Sequence, residues 1–244
     1  MNLPDTLYHY TSLETLFAII NGINNEDCNN VYLKLRATHS SFLNDETEGK
    51  LLSNVLAELG VKESLLVILE SLQGYPFVVS LTELADDLNM WRSYADQGCG
   101  VAIGLDTVEL NELYQFEQIK YTTHSELLNQ LKSQGIKQYI GRENVLPLER
   151  IIGDALKYKH ISFKAEKEWR IYEHSTEDGF RLSSDSIIPY KEINICTSAI
   201  RSITLGPKCN YEKNQFSIAR MLKNKIPHEE WQQIRLLKSN VPLI

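Results

Sequence analysis

The chain has 244 residues, a hydrophobic fraction of 43%, a charged fraction of 23% and a formal net charge of −7. This composition is that of an ordinary globular protein, and it argues against extensive disorder and against a broad basic surface that would neutralise nucleic-acid phosphates. One large domain can fill this length, so we expect a single domain over residues 1–244.

Hydrophobic periodicity in the first half of the chain predicts strands and helices in irregular alternation. The predicted strands cover residues 7–10, 31–37, 77–81 and 101–105. The predicted helices cover residues 13–20, 44–59, 62–72, 88–95 and a short segment after Asp106. Thr11 or Ser12 is expected to cap the first helix and Asp106 the last, because their side-chain oxygens can accept free amides of the first turn.

The second half of the chain continues this irregular order. The predicted helices cover residues 125–134, 148–158 and 211–224, and the predicted strands cover residues 166–172, 186–188, 200–205 and 232–237. No glycine-rich phosphate loop opens a helix, and there is no steady strand–helix–strand rhythm, so a doubly wound nucleotide fold is disfavoured. We therefore predict an α+β fold with a mixed sheet.

The chain carries four cysteines, and no two of them form a Cys-x-x-Cys pair. They are widely separated in sequence, at Cys28, Cys99, Cys196 and Cys209. This spacing favours neither a zinc ribbon nor a disulfide framework, so we expect a reducing compartment and no metal site. The N-terminal residues lack the pattern of a signal peptide, and no window of about 18 residues is wholly apolar, so we expect a cytoplasmic protein without a membrane span.

Two small polar groups lie on predicted strands. Strand alternation places His9 on the face opposite Tyr8 and Tyr10. Ser80 and Thr82 point to one side at the end of an apolar strand. A histidine or a hydroxyl in such a position commonly has a structural role, so each group indicates a functional site only in combination with the other candidate residues.

A third group lies in the predicted strand 166–172. Alternation would place Glu166, Glu168 and Arg170 on one face. Two carboxylates that share a face repel each other, and proteins keep such pairs at a surface or at a functional site. An exposed strand of alternating Glu and Arg explains the same pattern without a site.

Two of these groups belong to a set of ordered motifs, which are His9-Tyr10-Thr11, Asn44-Asp45-Glu46-Thr47-Glu48, Trp91-Arg92-Ser93-Tyr94 and Glu166-Lys167-Glu168-Trp169-Arg170. Together with Ile-Thr-Leu-Gly-Pro at 203–207, the set resembles an uncharacterised bacterial domain family over most of the chain. That family is distantly similar to ADP-ribosyltransferases, which build their site from an early Arg or His, a middle strand with Ser and Thr, and a late Glu. Here His9, Ser80-Leu81-Thr82 and Glu166-Lys167-Glu168 follow that order.

This resemblance implies a single α+β domain with a central split mixed sheet, flanked by helices, and NAD in its cleft. It assigns Glu168 to the ribose, where a carboxylate stabilises the oxocarbenium-like centre that forms when nicotinamide leaves. Glu166 would take the proton of the acceptor. His9 would hydrogen-bond a ribose hydroxyl, and Ser80 would orient Glu168.

Further contacts to NAD follow from the same resemblance. Tyr10 or Tyr94 would stack on nicotinamide, and Arg36 or Arg170 would bind the pyrophosphate. Two hydroxyl residues complete the predicted NAD-binding set, Thr11 and Thr82. The acceptor would be a protein or a nucleic acid, and the general setting of the family implies a bacterial toxin or a phage-defence effector.

Other functions explain parts of the pattern. A hydrolase or nuclease could use Glu166, Glu168 and Asp45 around a divalent ion such as magnesium. A cysteine hydrolase built on Cys99 has less support, since this residue lies between two glycines without a recognised motif. From a different class, the chain could bind a nucleotide or another protein without reacting with it.

Two of the motifs also have explanations that need no ligand. Trp91 and Tyr94 lie three residues apart on a predicted helix, which places both on one face and suits packing against a sheet. Asn44, Asp45 and Glu48 have the spacing of a helix-capping motif.

Overall fold

The computed structural model describes residues 3–23, 31–43, 50–67, 76–135, 154–183 and 185–242. The strands are β1 (Thr6–Thr11), β2 (Tyr32–His39), β3 (Phe77–Thr82), β4 (Val101–Asp106), β5 (Phe116–Gln118), β6 (Lys120–Thr122), β7 (Tyr158–His160), β8 (Glu168–Glu173), β9 (Gly179–Leu182), β10 (Ile187–Cys196), β11 (Ile200–Leu205) and β12 (Arg235–Lys238). The helices are α1 (Leu13–Asn21), α2 (Lys50–Glu58), α3 (Leu88–Tyr94), α4 (Thr107–Leu113), α5 (His124–Ser133), α6 (Tyr211–Lys225) and α7 (His228–Trp231). Strands and helices are intermixed, so the α+β class is confirmed.

The chain forms two compact units. The first unit contains Met1–Arg36, Val79–Phe116 and Glu192–Ile244, and the second contains Ala37–Val78 and Glu117–Lys191. The single domain predicted over the whole chain stays a prediction.

In the first unit, the strand order is β12-β11-β4-β1-β3. The pairs β1–β4 and β4–β11 are antiparallel, and β11–β12 is parallel. The sheet is therefore mixed, as predicted. Strand β4 begins with Val101, Ala102 and Ile103, all of them buried, as expected for a strand in the middle of a sheet. Helix α6 packs on β11 and β12 and contacts α1.

Several helices of the first unit begin where the sequence predicts. Ser12 accepts the Thr15 amide at the start of α1, and Asp106 accepts the Val108 and Glu109 amides at the start of α4. These caps are predictable because the interaction is local, between one side chain and the first turn of its own helix.

In the second unit, helices α2 and α5 pack against each other around a hydrophobic core that includes Leu52, Leu56 and Leu127. Strands β6 and β7 form a parallel pair, and β9 and β10 form an antiparallel hairpin. The end of β2 pairs with the start of β3. The parallel register of β6 and β7 places Tyr121 opposite Lys159.

Some predicted elements differ from the structure. The helix predicted over 148–158 is wrong in its described part, because Ala155–Lys157 is a single 3₁₀ turn and strand β7 begins at Tyr158. The strand predicted over 186–188 continues to Cys196 as β10. Strands β5, β6, β7 and β9 were not predicted, since segments of three or four residues give too short a periodicity. The start of the helix predicted over 44–59 lies outside the described residues.

None of the helices in the described ranges is both long enough and apolar enough to cross a lipid bilayer.

Candidate functional site

A buried, hydrogen-bonded polar group in the second unit surrounds Glu168, the first residue of β8. Glu168 is 5% exposed and Arg170 is 1% exposed, and alternation along β8 places both on one face. Arg170 Nε donates to Glu168 Oε1 at 2.6 Å, and Arg170 Nη2 donates to Oε2 at 3.1 Å. Two parallel bonds of this kind fix both the position and the orientation of the carboxylate.

Lys159 joins this pair from strand β7. Its Nζ donates to Glu168 Oε2 at 3.1 Å and to Glu166 Oε2 at 2.7 Å. The Lys159 side chain is buried, and its Nζ lies 4.8 Å from the centroid of the Phe163 ring. One ammonium group therefore holds two carboxylates together.

Glu166 reaches Lys159 from a backbone conformation that the sequence did not predict. It ends a 3₁₀ helix, Ile161–Glu166, and Lys167 then adopts a left-handed conformation with φ 44° and ψ 51°. The prediction that alternation along one strand places Glu166 beside Glu168 is therefore wrong. The two carboxylates still converge, because both accept hydrogen bonds from Lys159.

Tyr121 is the fifth member of the group. Its hydroxyl accepts a hydrogen bond from the Glu168 amide at 2.7 Å. Burial raises the pKa of Tyr121 to about 12, and the nearby charges of Glu168 and Glu166 act in the same direction. The phenol therefore stays neutral near pH 7. We refer to Lys159, Glu166, Glu168, Arg170 and Tyr121 as the Glu168 cluster.

Backbone contacts anchor the Glu168 cluster on its Arg170 side. Arg170 Nη1 donates to the Leu156 carbonyl at 3.0 Å, and the Tyr172 hydroxyl donates to the same oxygen at 3.0 Å. Sequence reasoning missed Lys159 and Tyr121. Lys159 lies 9 residues from Glu168 and Tyr121 lies 47 residues from it, and the strands that carry them are too short to leave a periodic signal.

In the first unit, His9 lies half-buried on β1. Its Nδ1 lies 3.1 Å from the Ser80 carbonyl oxygen. Since a carbonyl only accepts, Nδ1 carries the proton in this contact and Nε2 is the unprotonated nitrogen. Burial lowers the pKa of His9, although its hydrogen bond to Ser80 opposes this shift, so the imidazole is neutral near pH 7.

The hydroxyl residues next to His9 and Ser80 have structural contacts. Thr82 is buried, and its Oγ1 accepts the Leu84 amide at 3.1 Å. Thr11 is buried at the end of β1. Ser80 itself is exposed, and its carbonyl, rather than its hydroxyl, contacts His9.

Packing accounts for Trp91 and Tyr10. Trp91 is fully buried, and its Nε1 donates to Asp86 Oδ1 at 2.6 Å. The rings of Tyr10 and Trp91 meet edge to face with centroids 4.8 Å apart. The Tyr10 hydroxyl donates to the Leu84 carbonyl at 3.0 Å. Tyr10 is therefore held in the core, whereas Tyr94 is half-buried at the edge of this cluster.

The two arginines predicted for pyrophosphate differ in their surroundings. Arg170 is buried and bonded to Glu168 and to the Leu156 carbonyl. Arg36 is exposed on β2. A contact with a soluble ligand therefore suits Arg36 better than Arg170.

The structure thus brings together two of the predicted sets. His9 meets the Ser80 backbone in the first unit, and Glu166, Glu168 and Arg170 meet in the second. The common cleft that the resemblance implies for both sets stays a prediction.

The rival chemistries can be compared with the same contacts. The carboxylates of Glu166 and Glu168 both bind the ammonium group of Lys159. A cationic side chain between two carboxylates does not suit a divalent metal ion, which would need those oxygens as ligands. Within the described ranges there is no cluster of three or more His, Cys, Asp or Glu side chains that could hold a metal. Asp45, like the whole motif 44–48, lies outside the described residues, as does Cys28.

The cysteines in the described ranges are free thiols, at Cys99, Cys196 and Cys209. Cys99 is exposed, and Cys209 donates from Sγ to the Cys99 carbonyl at 2.8 Å. Burial raises the pKa of the Cys209 thiol. A raised pKa makes a thiol less nucleophilic at neutral pH, so Cys209 does not have the character of a catalytic cysteine.

A family model described as "Protein of unknown function (DUF2971)" matches residues 90–171. This stretch contains the motif around Trp91 and all five residues of the Glu168 cluster. The chain is therefore similar to an uncharacterised domain over these residues. No curated protein and no solved structure matches the chain.

Proposed function

We propose that this protein transfers ADP-ribose from NAD to an acceptor, and that it hydrolyses NAD when water is the acceptor. The observation that carries the proposal is the buried, oriented carboxylate of Glu168, with a second carboxylate, Glu166, held beside it by Lys159. The similarity to ADP-ribosyltransferases in the order of the motifs supports the same assignment.

The reaction breaks the bond between C1′ of the ribose and the nicotinamide nitrogen. The electron pair of that bond leaves with nicotinamide, which becomes neutral, and positive charge develops at C1′. A carboxylate such as Glu168 stabilises this charge more in the transition state than in the ground state. The acceptor oxygen or nitrogen then bonds to C1′ and loses its proton, and Glu166 is the proposed base.

The contacts of Glu168 suit this task in one respect. Arg170 holds the carboxylate in a single orientation through two bonds, so little reorganisation accompanies the reaction. We assign Arg170 and Lys159 as positioning residues, because they act on the substrate through the carboxylates.

The remaining assignments concern the binding of NAD. His9 has its Nδ1 proton directed to Ser80, so its Nε2 is the atom proposed to accept from a ribose hydroxyl. Tyr94 is proposed to stack on nicotinamide and Arg36 to bind the pyrophosphate. The acceptor is proposed to be a protein or a nucleic acid, which fits a toxin or a phage-defence effector.

One observation favours a second function, a module that binds a nucleotide or a protein without catalysis. Both oxygens of Glu168 accept hydrogen bonds from cationic side chains. These cations offset the negative charge that an oxocarbenium-like centre would need. In this case the Glu168 cluster is a structural network within the second unit.

The test incubates purified protein with NAD, with and without cell lysate, and follows nicotinamide release and transfer of labelled ADP-ribose. Glu168→Gln keeps the shape of the side chain and removes its charge, so we expect a loss of about 100-fold or more in rate. Glu173→Gln, at the other end of β8, is the matched control and should keep its activity.

Calorimetric titration with NAD separates the two functions. Wild-type protein that binds NAD without releasing nicotinamide is a binding module. Absence of NAD binding by the folded wild-type protein rules out the transferase and leaves a module that recognises another nucleotide or a protein.

A further inference from the structure

The β9–β10 hairpin of the second unit has one face that is apolar and exposed. Its register pairs Ile187 with Leu182 and Pro189 with Phe180. Residues directly opposite each other in an antiparallel pair project to the same face, and so do residues two apart in one strand. Phe180, Leu182, Ile187 and Pro189 therefore share a face, which we call the hairpin patch.

The opposite face of the hairpin is the one that packs against the protein. There, Ile188 is buried, and Arg181 Nη2 donates to Thr38 Oγ1 at 3.3 Å. On the hairpin patch, Phe180 is 62% exposed, Leu182 is 81% exposed and Ile187 is 63% exposed. The solvent face of an antiparallel pair is normally polar, so this arrangement is the reverse of the usual one. A contiguous apolar patch of this kind is typical of an interaction surface.

Strand β9 also offers backbone hydrogen bonds. It pairs with β10 along one side, and within the ranges that the structure describes no strand pairs with its other side. An edge strand presents N–H and C=O groups in a row, and a partner chain can pair with them as an added strand. From Gly179 to Leu182 this edge extends for about 10 Å.

Carboxylates lie at both ends of the edge. Glu177 and Asp178 precede β9, and Asp185 lies in the turn after it. Asp178 forms an ion pair with Lys191 at 2.7 Å. Glu177 and Asp185 form no ion pair with any residue of the described ranges. The hairpin patch is thus apolar in the middle and negatively charged at its ends.

We propose that β9 and the hairpin patch bind an extended segment of a partner protein, which adds to the edge as a strand. The segment carries apolar side chains at alternate positions and lysine or arginine near its ends. The charge pattern argues for this partner over a second copy of the same chain, because a second copy would bring the same carboxylates to the contact. The proposal does not depend on the activity of the Glu168 cluster.

The test uses two fluorescent synthetic peptides with the same alternating valine and isoleucine residues, one with lysine at both ends and one with glutamate at both ends. Fluorescence anisotropy should show binding of the lysine peptide and at least about tenfold weaker binding of the glutamate peptide. Leu182→Ser should weaken binding of the lysine peptide by about tenfold or more, since it removes one buried leucine from the contact. Phe17→Ser, at a 58% exposed site on α1 in the first unit, is the control and should bind as wild type does.

The charge part of the proposal has its own variant. The double variant Glu177→Gln with Asp185→Asn should bind the lysine peptide more weakly than wild type does. Added salt should then lower the affinity for this peptide less than it does in wild type. Thermal melts should show that every variant folds, because each altered side chain is exposed.

Three results would overturn the proposal. The first is equal binding of both peptides, and the second is lysine-peptide binding that Leu182→Ser leaves unchanged. The third is a dimer in light scattering that Leu182→Ser abolishes, which would make a second copy the occupant of the hairpin patch.

Discussion

Glu168→Gln should destabilise the protein strongly, because it removes one charge from a buried and balanced group. The Glu168 cluster contains two carboxylates and two cationic side chains. Glutamine keeps the volume but leaves Lys159 and Arg170 opposite a single carboxylate, that of Glu166. Arg170 is 1% exposed, so water cannot replace the lost partner without rearrangement.

The size of the effect follows from this burial. Breaking a buried ion pair by removing one partner costs roughly 3–5 kcal/mol, most of it from the charge left without compensation. Lys159 keeps its bond to Glu166, at 2.7 Å, so we expect the lower end, about 3 kcal/mol. For a chain of this size that loss lowers Tm by about 6–12 °C.

Urea denaturation followed by circular dichroism measures this loss. Glu173→Gln, on the same strand but half-buried, should change the free energy of unfolding by less than about 0.5 kcal/mol. The double variant Glu168→Gln with Lys159→Gln restores the charge balance, so its loss should be smaller than the sum of the two single losses by about 1–3 kcal/mol. Additive losses, or a Glu168→Gln protein as stable as wild type, would refute the account of the cluster as a coupled charge network.

Three other substitutions test the first unit. Gly206→Ala should cost about 2 kcal/mol in urea denaturation, because its new Cβ would lie 2.4 Å from the Gly98 carbonyl oxygen. Burial lowers the pKa of His9 below its ordinary value of 6.5. The unfolded chain therefore binds the proton more readily than the folded chain, and the free energy of unfolding decreases as the pH falls through about 6.5. Between about pH 7.5 and 5.5, the His9→Gln variant should lose less stability than wild type. NMR titration of the imidazole measures the pKa of His9 directly. Trp91→Phe removes the 2.6 Å bond to Asp86 and should cost about 2 kcal/mol in urea denaturation.

The parts of the fold that the sequence predicts well are those with local signals. The caps of α1 and α4 depend on one side chain and the turn that follows it. The strands 77–81 and 101–105 are rich in buried apolar residues, with Ser80 as the polar exception in the first. The strand predicted over 186–188 could have been extended toward Cys196 from the sequence, since Ile193 and Ile195 alternate with Glu192 and Asn194 and are buried.

The Glu168 cluster shows what the sequence could and could not predict about the candidate site. The pair Glu168 and Arg170 is predictable, because residues two apart in a strand share a face. The left-handed conformation of Lys167 is not, since lysine rarely adopts it and tertiary contacts decide. Lys159 and Tyr121 arrive through the parallel pairing of β6 with β7, a contact between distant segments that no local pattern records.

Stability and activity together decide between the catalytic and the structural account of Glu168. A domain of ordinary stability has a free energy of unfolding of about 5–15 kcal/mol. A loss of about 3 kcal/mol leaves at least about 2 kcal/mol, at which about 97% of the molecules are folded at 25 °C. Unfolding alone would then lower nicotinamide release by only a few per cent. A loss of about 100-fold in Glu168→Gln therefore reports on the reaction itself, because a network that is only structural changes the melting temperature without changing the rate of the folded molecules.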